Sequence, residues 1–313
     1  MSRPPLPPAT ELTAVSADGS RIHVEVYGAE DRPAVVLAHG WTCSIRFWAA
    51  QTAELAAGHR VIVYDQRGHG RTPLPGRDGY GTGALADDLE AVLSAALKPG
   101  ERAVVAGHSM GGMTIMAASA RPVFRRHVAA TLLCSTGSSR LVAESLVLPL
   151  RAGRTRTRLT RLVLGARAPL GPVTPLSRRI LRYGTMGPAS APEMVMECAR
   201  IVHACPRASR VAWSHVLGEL DLDRDVRELR VPTAVLVGTA DRLTPPVQAR
   251  ALAAALPDCV GLTELAGVGH MTPVEAPDAV TARIRELVAT CLSARPSPAT
   301  GPGAATRTKE DPA

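Results

Sequence analysis

The stretch AGHSMGGM, residues 106–113, places one serine among small and flexible residues, directly after an apolar run. Gly107 to Gly111 fits the pattern G-x-S-x-G, in which a sharp turn between a strand and a helix exposes the serine hydroxyl. A side chain at Gly107 or Gly111 would clash with this tightly turned backbone. The pattern is expected about 0.1 times by chance in a chain of this composition, so its neighbours decide its meaning.

Strand-like and helical segments alternate around this turn. Six short runs predict strands: residues 34–38, 61–64, 103–106, 129–134, 233–237 and 260–265, of which the continuous apolar run 34–38 is typical of a strand buried on both faces. Helical patterns lie between or after them: residues 83–97, 110–120, 247–256 and 275–292. A hairpin with Asp18 and Gly19 in its turn precedes them. Strands separated by helices predict an α/β fold around a mostly parallel sheet.

The alternation stops at residues 137–227, which contain Pro, Gly and amphipathic helical pieces without a clear strand. This segment predicts a helical insertion placed over the sheet, and the core is then expected at residues 12–136 and 228–292. Residues 1–11 are rich in proline, and residues 293–313 end in SPATGPGAATRTKEDPA. Both ends of the chain are predicted to be disordered.

Two further polar residues follow predicted strands. Asp241 comes after the strand at 233–237, and His270 comes after the strand at 260–265. The carboxyl ends of parallel strands share one edge of a sheet, so we expect Ser109, Asp241 and His270 to converge there. A serine hydroxyl needs a base, and the base needs an acid that orients it. We therefore predict a nucleophile, an acid and a base in the chain order that this architecture expects.

The loop HGWT, residues 39–42, follows the first apolar run and offers the remaining part of such a site. We predict that the backbone N–H groups of Met110 and Trp41 bind the developing oxyanion. Gly40 lets the backbone turn in toward the substrate. The ring of His39 is expected to brace this loop rather than to transfer protons.

Other titratable residues have competing interpretations. His108 neighbours the serine but is expected to point away from the turn, and His69 is expected to form hydrogen bonds within its loop. Asp65 also follows a strand, yet its turn is rich in Gly and Arg, which predicts an ion pair with an arginine. His203 and His215 lie in the insertion, where a surface or core position is favoured over a place in the pocket.

Positive charge is concentrated in the insertion. The chain carries 36 Lys and Arg against 28 Asp and Glu, a net charge of +8. Between residues 140 and 182, Glu144 is the one acid among ten arginines: 140, 151, 154, 156, 158, 161, 167, 178, 179 and 182. A solvated helix face is the plain interpretation, and an acidic carrier protein, CoA or a membrane surface are the alternatives. Nucleic acid is not expected, because aromatic stacking residues and a binding motif are missing.

Cysteine usage and hydropathy indicate the compartment. The six cysteines are widely spaced, which predicts reduced thiols, and Cys198, His203 and Cys205 do not match a zinc spacing. No apolar run approaches the roughly 18 residues of a membrane span. Proline in MSRPPLPPATEL interrupts the region that a signal peptide would need. We expect a cytoplasmic protein that needs neither a metal nor a cofactor.

The chain resembles the α/β-hydrolase superfamily in five motifs that stand in the family's order: AHGWT, YDQRGHGRTP, GHSMGG, VGTADRLTPP and GVGHMTPVEAP. The resemblance covers about residues 12–292. It implies eight mostly parallel strands, a helical cap between the sixth and seventh, and a triad of Ser109, Asp241 and His270. The HGW loop and GHSMGG look like the cofactor-free haloperoxidase, esterase and lactonase branches. That likeness implies cleavage of a small-molecule ester, lactone or thioester.

Other members of the superfamily set the alternatives. Epoxide hydrolases and haloalkane dehalogenases usually carry Asp as the nucleophile, and Ser109 argues against both. The C–C-bond hydrolases share the SMGG turn, but their oxyanion loop is typically richer in glycine. A thioesterase, acyltransferase or cyclase on a CoA-bound or carrier-bound intermediate would use the same triad. A non-enzymatic ligand receptor would often have lost a member of it.

Overall fold

The sheet has eight strands in the order β1-β2-β4-β3-β5-β6-β7-β8. A computed structural model describes residues 7–76 and 79–292 of the chain. The strands are β1 Thr10–Val15, β2 Arg21–Tyr27, β3 Ala34–Ala38, β4 Arg60–Tyr64, β5 Ala103–His108, β6 Val128–Cys134, β7 Thr233–Gly238 and β8 Cys259–Leu265. β2 runs antiparallel to both of its neighbours, and every other pairing is parallel. The predicted α/β fold with a mostly parallel sheet is confirmed.

Helices cover both faces of this sheet. They are α1 Ala49–Leu55, α2 Thr82–Ala96, α3 Met110–Ala118, α4 Pro122–His127, α11 Pro246–Ala255, α12 Thr272–Glu275 and α13 Pro277–Cys291, with a 3₁₀ turn at Ile45–Trp48. Val36 of β3 packs in one apolar cluster with α2 and α3, and Val35 packs in the other with α1 and α13. Burial on both faces explains why the central strands read as continuous apolar runs. Within the described residues, no helix is long and apolar enough to cross a membrane.

The segment between β6 and β7 is helical. It forms α5 Leu141–Glu144, α6 Arg154–Leu164, α7 Pro175–Thr185, α8 Pro192–Ala204, α9 Arg207–Gly218 and α10 Asp223–Glu228. We call residues 137–227 the insertion. Its last helix belongs to the core by packing, because Val226 lies in the same cluster as α3 and the Ser119 hydroxyl donates to Asp225 O at 2.8 Å.

Three boundaries differ from the expected ones. β1 begins two residues before residue 12, because Thr10 already pairs with Val26 of β2. The helix expected over 275–292 is α13, which begins two residues later because Pro277 occupies its first position, and the separate short helix α12 precedes it. The short helix α4 before β6 is not anticipated by the sequence pattern. Residues 1–6 and 293–313, which include the predicted disordered tail, lie outside the described residues.

Candidate active site

Ser109 occupies the turn between β5 and α3, with φ 52° and ψ −116°. Residues with side chains rarely adopt such a positive φ, and the conformation costs on the order of 1–3 kcal/mol. The neighbouring strand holds it in place. The N–H of Ser109 donates to Cys134 O at 2.9 Å, and the Thr136 hydroxyl donates to Ser109 O at 2.7 Å. The serine is therefore presented at the carboxyl edge of the sheet by a backbone that is bonded on both sides.

Glycines make this turn sterically possible. A Cβ at Gly111 would lie 2.1 Å from Ala38 O, and a Cβ at Gly107 would lie 2.4 Å from the carbonyl carbon of Gly111. Helix α3 can thus begin directly against β3 and β5 only because these positions carry no side chain. Gly40 also brings the loop after β3 close to the turn, since a Cβ there would lie 2.7 Å from His108 Nδ1 and 3.1 Å from Ser109 Cβ.

The loops after β7 and β8 bring Asp241 and His270 together. His270 Nδ1 lies 2.8 Å from Asp241 Oδ2, and both side chains are buried. In this contact Nδ1 is the donor and the carboxylate oxygen the acceptor, which leaves Nε2 as the ring nitrogen that does not contact Asp241. Asp241 Oδ1 accepts from the N–H groups of Leu243 and Thr244 at 2.8 and 2.9 Å, and the Thr244 hydroxyl donates to Oδ2 at 2.9 Å. These bonds fix the carboxylate and, through it, the orientation of the imidazole.

Ser109 and His270 line one cavity of about 430 Å³. This volume lies in the range of about 300–1,000 Å³ that is typical of small-molecule sites. Trp41 also lines the cavity, and the insertion supplies an aliphatic wall that includes Leu141, Val142, Val147, Leu148, Leu164 and Leu181. The structure therefore joins the serine, the histidine and the loop after β3 in a single, mainly apolar space.

Two residues predicted to offer backbone N–H groups, Met110 and Trp41, lie next to the serine or its cavity. Met110 opens α3, so its N–H is one of the first amides of the helix and has no carbonyl partner within it. Trp41 follows Gly40 on the adjacent loop and borders the cavity. The indole Nε1 of Trp41 donates to Arg210 O in the insertion at 3.1 Å, which anchors this loop from above.

Buried histidines hold the loop after β3. His39 Nε2 accepts from the N–H of Gln66 at 3.0 Å, and its Nδ1 donates to Gly40 O at 2.8 Å. His69 Nε2 accepts from the N–H of Thr42 at 3.2 Å. Burial lowers the pKa of His39 to about 4 and that of His69 to about 3. Both rings are neutral at pH 7 and serve as hydrogen-bonding supports.

Two side chains differ from their expected positions. His108 does not point away from the site: its ring lies 4.8 Å from that of His270, and its Nε2 donates to His270 O at 2.8 Å. Burial holds the pKa of His108 well below its ordinary value, so the ring is a neutral support for the histidine loop. Among the described residues, Asp65 forms no ion pair with an arginine side chain, in contrast to the expectation. It accepts instead from the backbone N–H groups of Ile45 and Arg71, both at 2.8 Å, because its turn leaves these amides unpaired.

Glu275 is a site residue that sequence reasoning does not single out. Its Oε2 accepts from the N–H groups of Gly187 at 2.7 Å and Gly269 at 3.1 Å, and its Oε1 accepts from that of Met271 at 3.0 Å. One carboxylate thus joins the insertion to both residues that flank His270. Its place in the motif GVGHMTPVEAP, about one helical turn beyond the histidine, is the signal that could have indicated it.

The chain is similar in sequence to known proteins. A sequence model described as the alpha/beta hydrolase family matches residues 35–283. A Variovorax paradoxus (strain S110) protein named carbamate hydrolase RutD is 44% identical over 93 residues, 29% of this chain and 34% of that protein. This chain therefore matches about a third of the length of that relative.

Two further similarities extend over most of the chain. The pimeloyl-(acyl-carrier protein) methyl ester esterase of Xylella fastidiosa (strain M12) is 28% identical over 278 residues, 86% of this chain and 99% of that one. The solved structure of a thermophilic esterase from Thermogutta terrifontis superposes with a TM-score of 0.73 at 25% identity. That superposition covers 91% of this chain and 100% of the esterase.

Proposed function

The chain belongs to the alpha/beta hydrolase family, and on this premise we propose that it hydrolyses a carboxylic ester through a covalent acyl-enzyme. One observation carries the proposal. Ser109, held at φ 52°, lines the same cavity as His270, whose Nδ1 lies 2.8 Å from Asp241 Oδ2. A strained serine, a basic imidazole nitrogen and a buried carboxylate form the arrangement that activates a hydroxyl for acyl transfer.

Acylation begins when His270 Nε2 takes the proton of Ser109 as Oγ bonds to the ester carbonyl carbon. The carbonyl oxygen becomes an oxyanion that the N–H groups of Trp41 and Met110 bind, each lowering the barrier by about 3 kcal/mol. Asp241 stabilises the imidazolium without taking its proton. The carbon–oxygen bond to the alcohol then breaks, and His270 protonates the departing oxygen.

Deacylation repeats these steps with water. His270 takes a proton from water as the water oxygen bonds to the acyl carbon, and the same two N–H groups bind the second oxyanion. The bond between the acyl carbon and Ser109 Oγ breaks, and His270 returns the proton to Oγ. Ester and water thus become acid and alcohol, and the serine is regenerated.

The aliphatic wall of the cavity favours an acyl chain over a charged or planar group. We expect kcat/KM on p-nitrophenyl esters to rise from acetate to hexanoate by up to about fourfold per methylene, because each buried methylene contributes about 0.8 kcal/mol. Intact mass spectrometry after rapid acid quenching should show one acyl group per chain, on the peptide that contains Ser109. Equal kcat/KM along the series, or an acyl group on another residue, would disprove this assignment.

Thioesters form the second candidate substrate class. The arginines of the insertion would attract the phosphates of CoA or an acidic carrier protein, and Arg161 lines the cavity itself. Hexanoyl-CoA and hexanoyl-carrier protein are therefore compared with p-nitrophenyl hexanoate in the same assay. Turnover of the carrier-bound substrate that falls steeply with salt, while ester turnover does not, would favour this class.

Replacement of Glu275 by glutamine tests how the histidine loop is positioned. Glu275 also accepts from the Ser190 hydroxyl at 2.6 Å, and an amide offers one acceptor oxygen where the carboxylate had two. We expect kcat to fall about tenfold to a hundredfold with a smaller change in KM, because misplacing a catalytic group by about 1 Å has an effect of this size. Steady-state kinetics measures both constants. The exposed Glu219→Gln is the control, and a Glu275→Gln enzyme with wild-type kcat would contradict the positioning role.

A further inference from the structure

Helix α6 of the insertion turns its apolar residues outward. Leu159, Leu162 and Val163 are between 41% and 68% exposed, whereas Arg156 and Thr160 of the same helix are buried. A surface helix ordinarily buries its apolar stripe and exposes its charges. In α6 these three apolar residues are exposed instead, and Val163 borders the cavity.

Helix α7 repeats this arrangement. Leu176, Ile180 and Tyr183 recur at the spacing of one helical face and are between 43% and 67% exposed. No residue of this helix, all of which is described, is buried. Its amino end is fixed locally by a capping box between Thr174 and Ser177. The helix therefore leaves Leu176 and Ile180 largely exposed, whereas the Tyr183 ring lies under the guanidinium of Arg242, with 4.5 Å between its carbon and the ring centre.

The two stripes lie at the mouth of the active-site cavity. Val163 of α6 and Ile180 of α7 belong to the exposed stripes and also line the cavity that contains Ser109. The apolar surface is thus continuous from the outside of the insertion to the nucleophile. Exposed apolar surface of this extent generally marks a place of binding.

Unpaired arginines accompany these stripes. In the part of the chain that the structure describes, Arg140 pairs with Glu144 at 3.7 Å, and the other nine of the ten arginines have no acidic partner. Arg178 and Arg179 lie on α7 itself, and Arg158 and Arg161 lie on α6. By helical spacing Arg158 and Arg179 flank the apolar stripes, and the other arginines add positive charge elsewhere on the same two helices.

We propose that the face formed by α6 and α7 docks on an anionic lipid surface. A bilayer supplies hydrocarbon for the leucines and anionic headgroups for the arginines, which is the combination that basic amphipathic helices bind. A second copy of this chain would bring arginines against arginines. An acidic protein would neutralise the charge but would leave the aliphatic side chains without a comparable apolar phase. When this face is docked on the bilayer, the cavity opens toward the lipid, where amphiphilic esters are concentrated.

Co-sedimentation with vesicles tests the docking without any substrate, so its outcome is independent of the proposed hydrolysis. The full chain is expected to bind vesicles of equal parts phosphatidylglycerol and phosphatidylcholine, to bind pure phosphatidylcholine far less, and to be released by salt. Leu162→Ser combined with Leu176→Ser should lower partitioning about tenfold per leucine. Arg178→Gln combined with Arg179→Gln should lower it about fivefold per arginine.

The variants are chosen so that folding and binding are separable. Leu162 and Leu176 do not line the described cavity, so hydrolysis of p-nitrophenyl acetate and the melting temperature should stay at wild-type values. The matched control combines Val260→Ser with Arg32→Gln, exposed positions at the amino ends of β8 and β3, on the opposite edge of the sheet. This control should bind vesicles as the wild type does.

Several outcomes would overturn the proposal. They are an absence of binding to the anionic vesicles, equal binding to both lipid compositions, or variants that bind as well as the wild type. Dimerisation that is lost in the double leucine variant, without vesicle binding, would assign the face to a second copy. Binding of an acidic acyl carrier protein, without vesicle binding, would assign it to a protein partner.

Discussion

Ser109→Ala is expected to lower kcat by about 10⁴-fold or more and to abolish labelling by a fluorophosphonate probe. Alanine removes the one atom that would form the acyl bond, while the backbone at φ 52° and its bonds to β6 can remain. The oxyanion donors and the cavity are also left in place. The variant should therefore still bind a product carboxylate, although it no longer turns over ester.

A second buried serine provides a matched control for this variant. Ser135 follows β6, has φ 44°, and lies with its hydroxyl 3.2 Å from that of Thr272. It shares the strand-end position and the positive φ of Ser109 but does not line the cavity. Ser135→Ala should keep kcat within about twofold, since it leaves the reacting groups unchanged. Labelling or turnover that survives in Ser109→Ala would exclude Ser109 as the nucleophile.

Lowering the pH is expected to reduce the free energy of unfolding more steeply than titration of surface groups alone would. Burial lowers the pKa of His39 to about 4 and of His69 to about 3, and it holds that of His108 well below its ordinary value. Unfolding returns each ring to a pKa near 6.5, so the unfolded chain binds more protons between roughly pH 4 and 6.5. The stability that these neutral rings contribute is present above pH 6.5 and is lost as pH falls toward their folded values.

The loss in the free energy of unfolding between about pH 7 and pH 5 should amount to about 2 kcal/mol for His39 and for His69, and His108 acts in the same direction. Burial raises the pKa of Asp65, so this carboxyl takes up a proton more readily in the folded state and offsets part of the loss. Urea unfolding across this pH range measures the free energy of unfolding. His39→Asn should be less stable at neutral pH but should show a shallower pH dependence, whereas exposed His215→Asn should follow the wild type. A flat profile would contradict the assignment of neutral buried rings.

The strands at the centre of the sheet could be predicted because both of their faces are buried. Residues 34–38 and 103–106 have only apolar or small side chains, and this continuous pattern has few other structural solutions. The limits of the edge strands and of the helices were harder to predict. Thr10 belongs to β1 through ladder hydrogen bonds to β2, which depend on a partner strand rather than on local pattern. The short helix α12, Thr272–Glu275, was not predicted, because four residues are too few to show a helical pattern.

The sequence could predict those residues of the candidate site whose positions follow from the order of the strands. Ser109, Asp241 and His270 all follow parallel strands, so the topology alone places them on one edge. Their roles remain predictions that the Ser109 variant tests. Glu275 and His108 could not be assigned in this way. Their partners are backbone groups from distant segments, and backbone groups carry no residue-specific signal in a sequence.

The insertion is bonded to both halves of the candidate site, and this has a mechanical consequence. The N–H of His270 donates to Thr185 O at 2.8 Å on one side of Ser109, and the Trp41 indole donates to Arg210 O at 3.1 Å on the other. An insertion that lifted away as a rigid body would break both bonds and release the base and the oxyanion loop together. If the proposed hydrolysis is correct, displacement of the insertion would expose the cavity and disorganise the catalytic residues at the same time, so an acyl-enzyme would stay shielded from solvent while both bonds are intact.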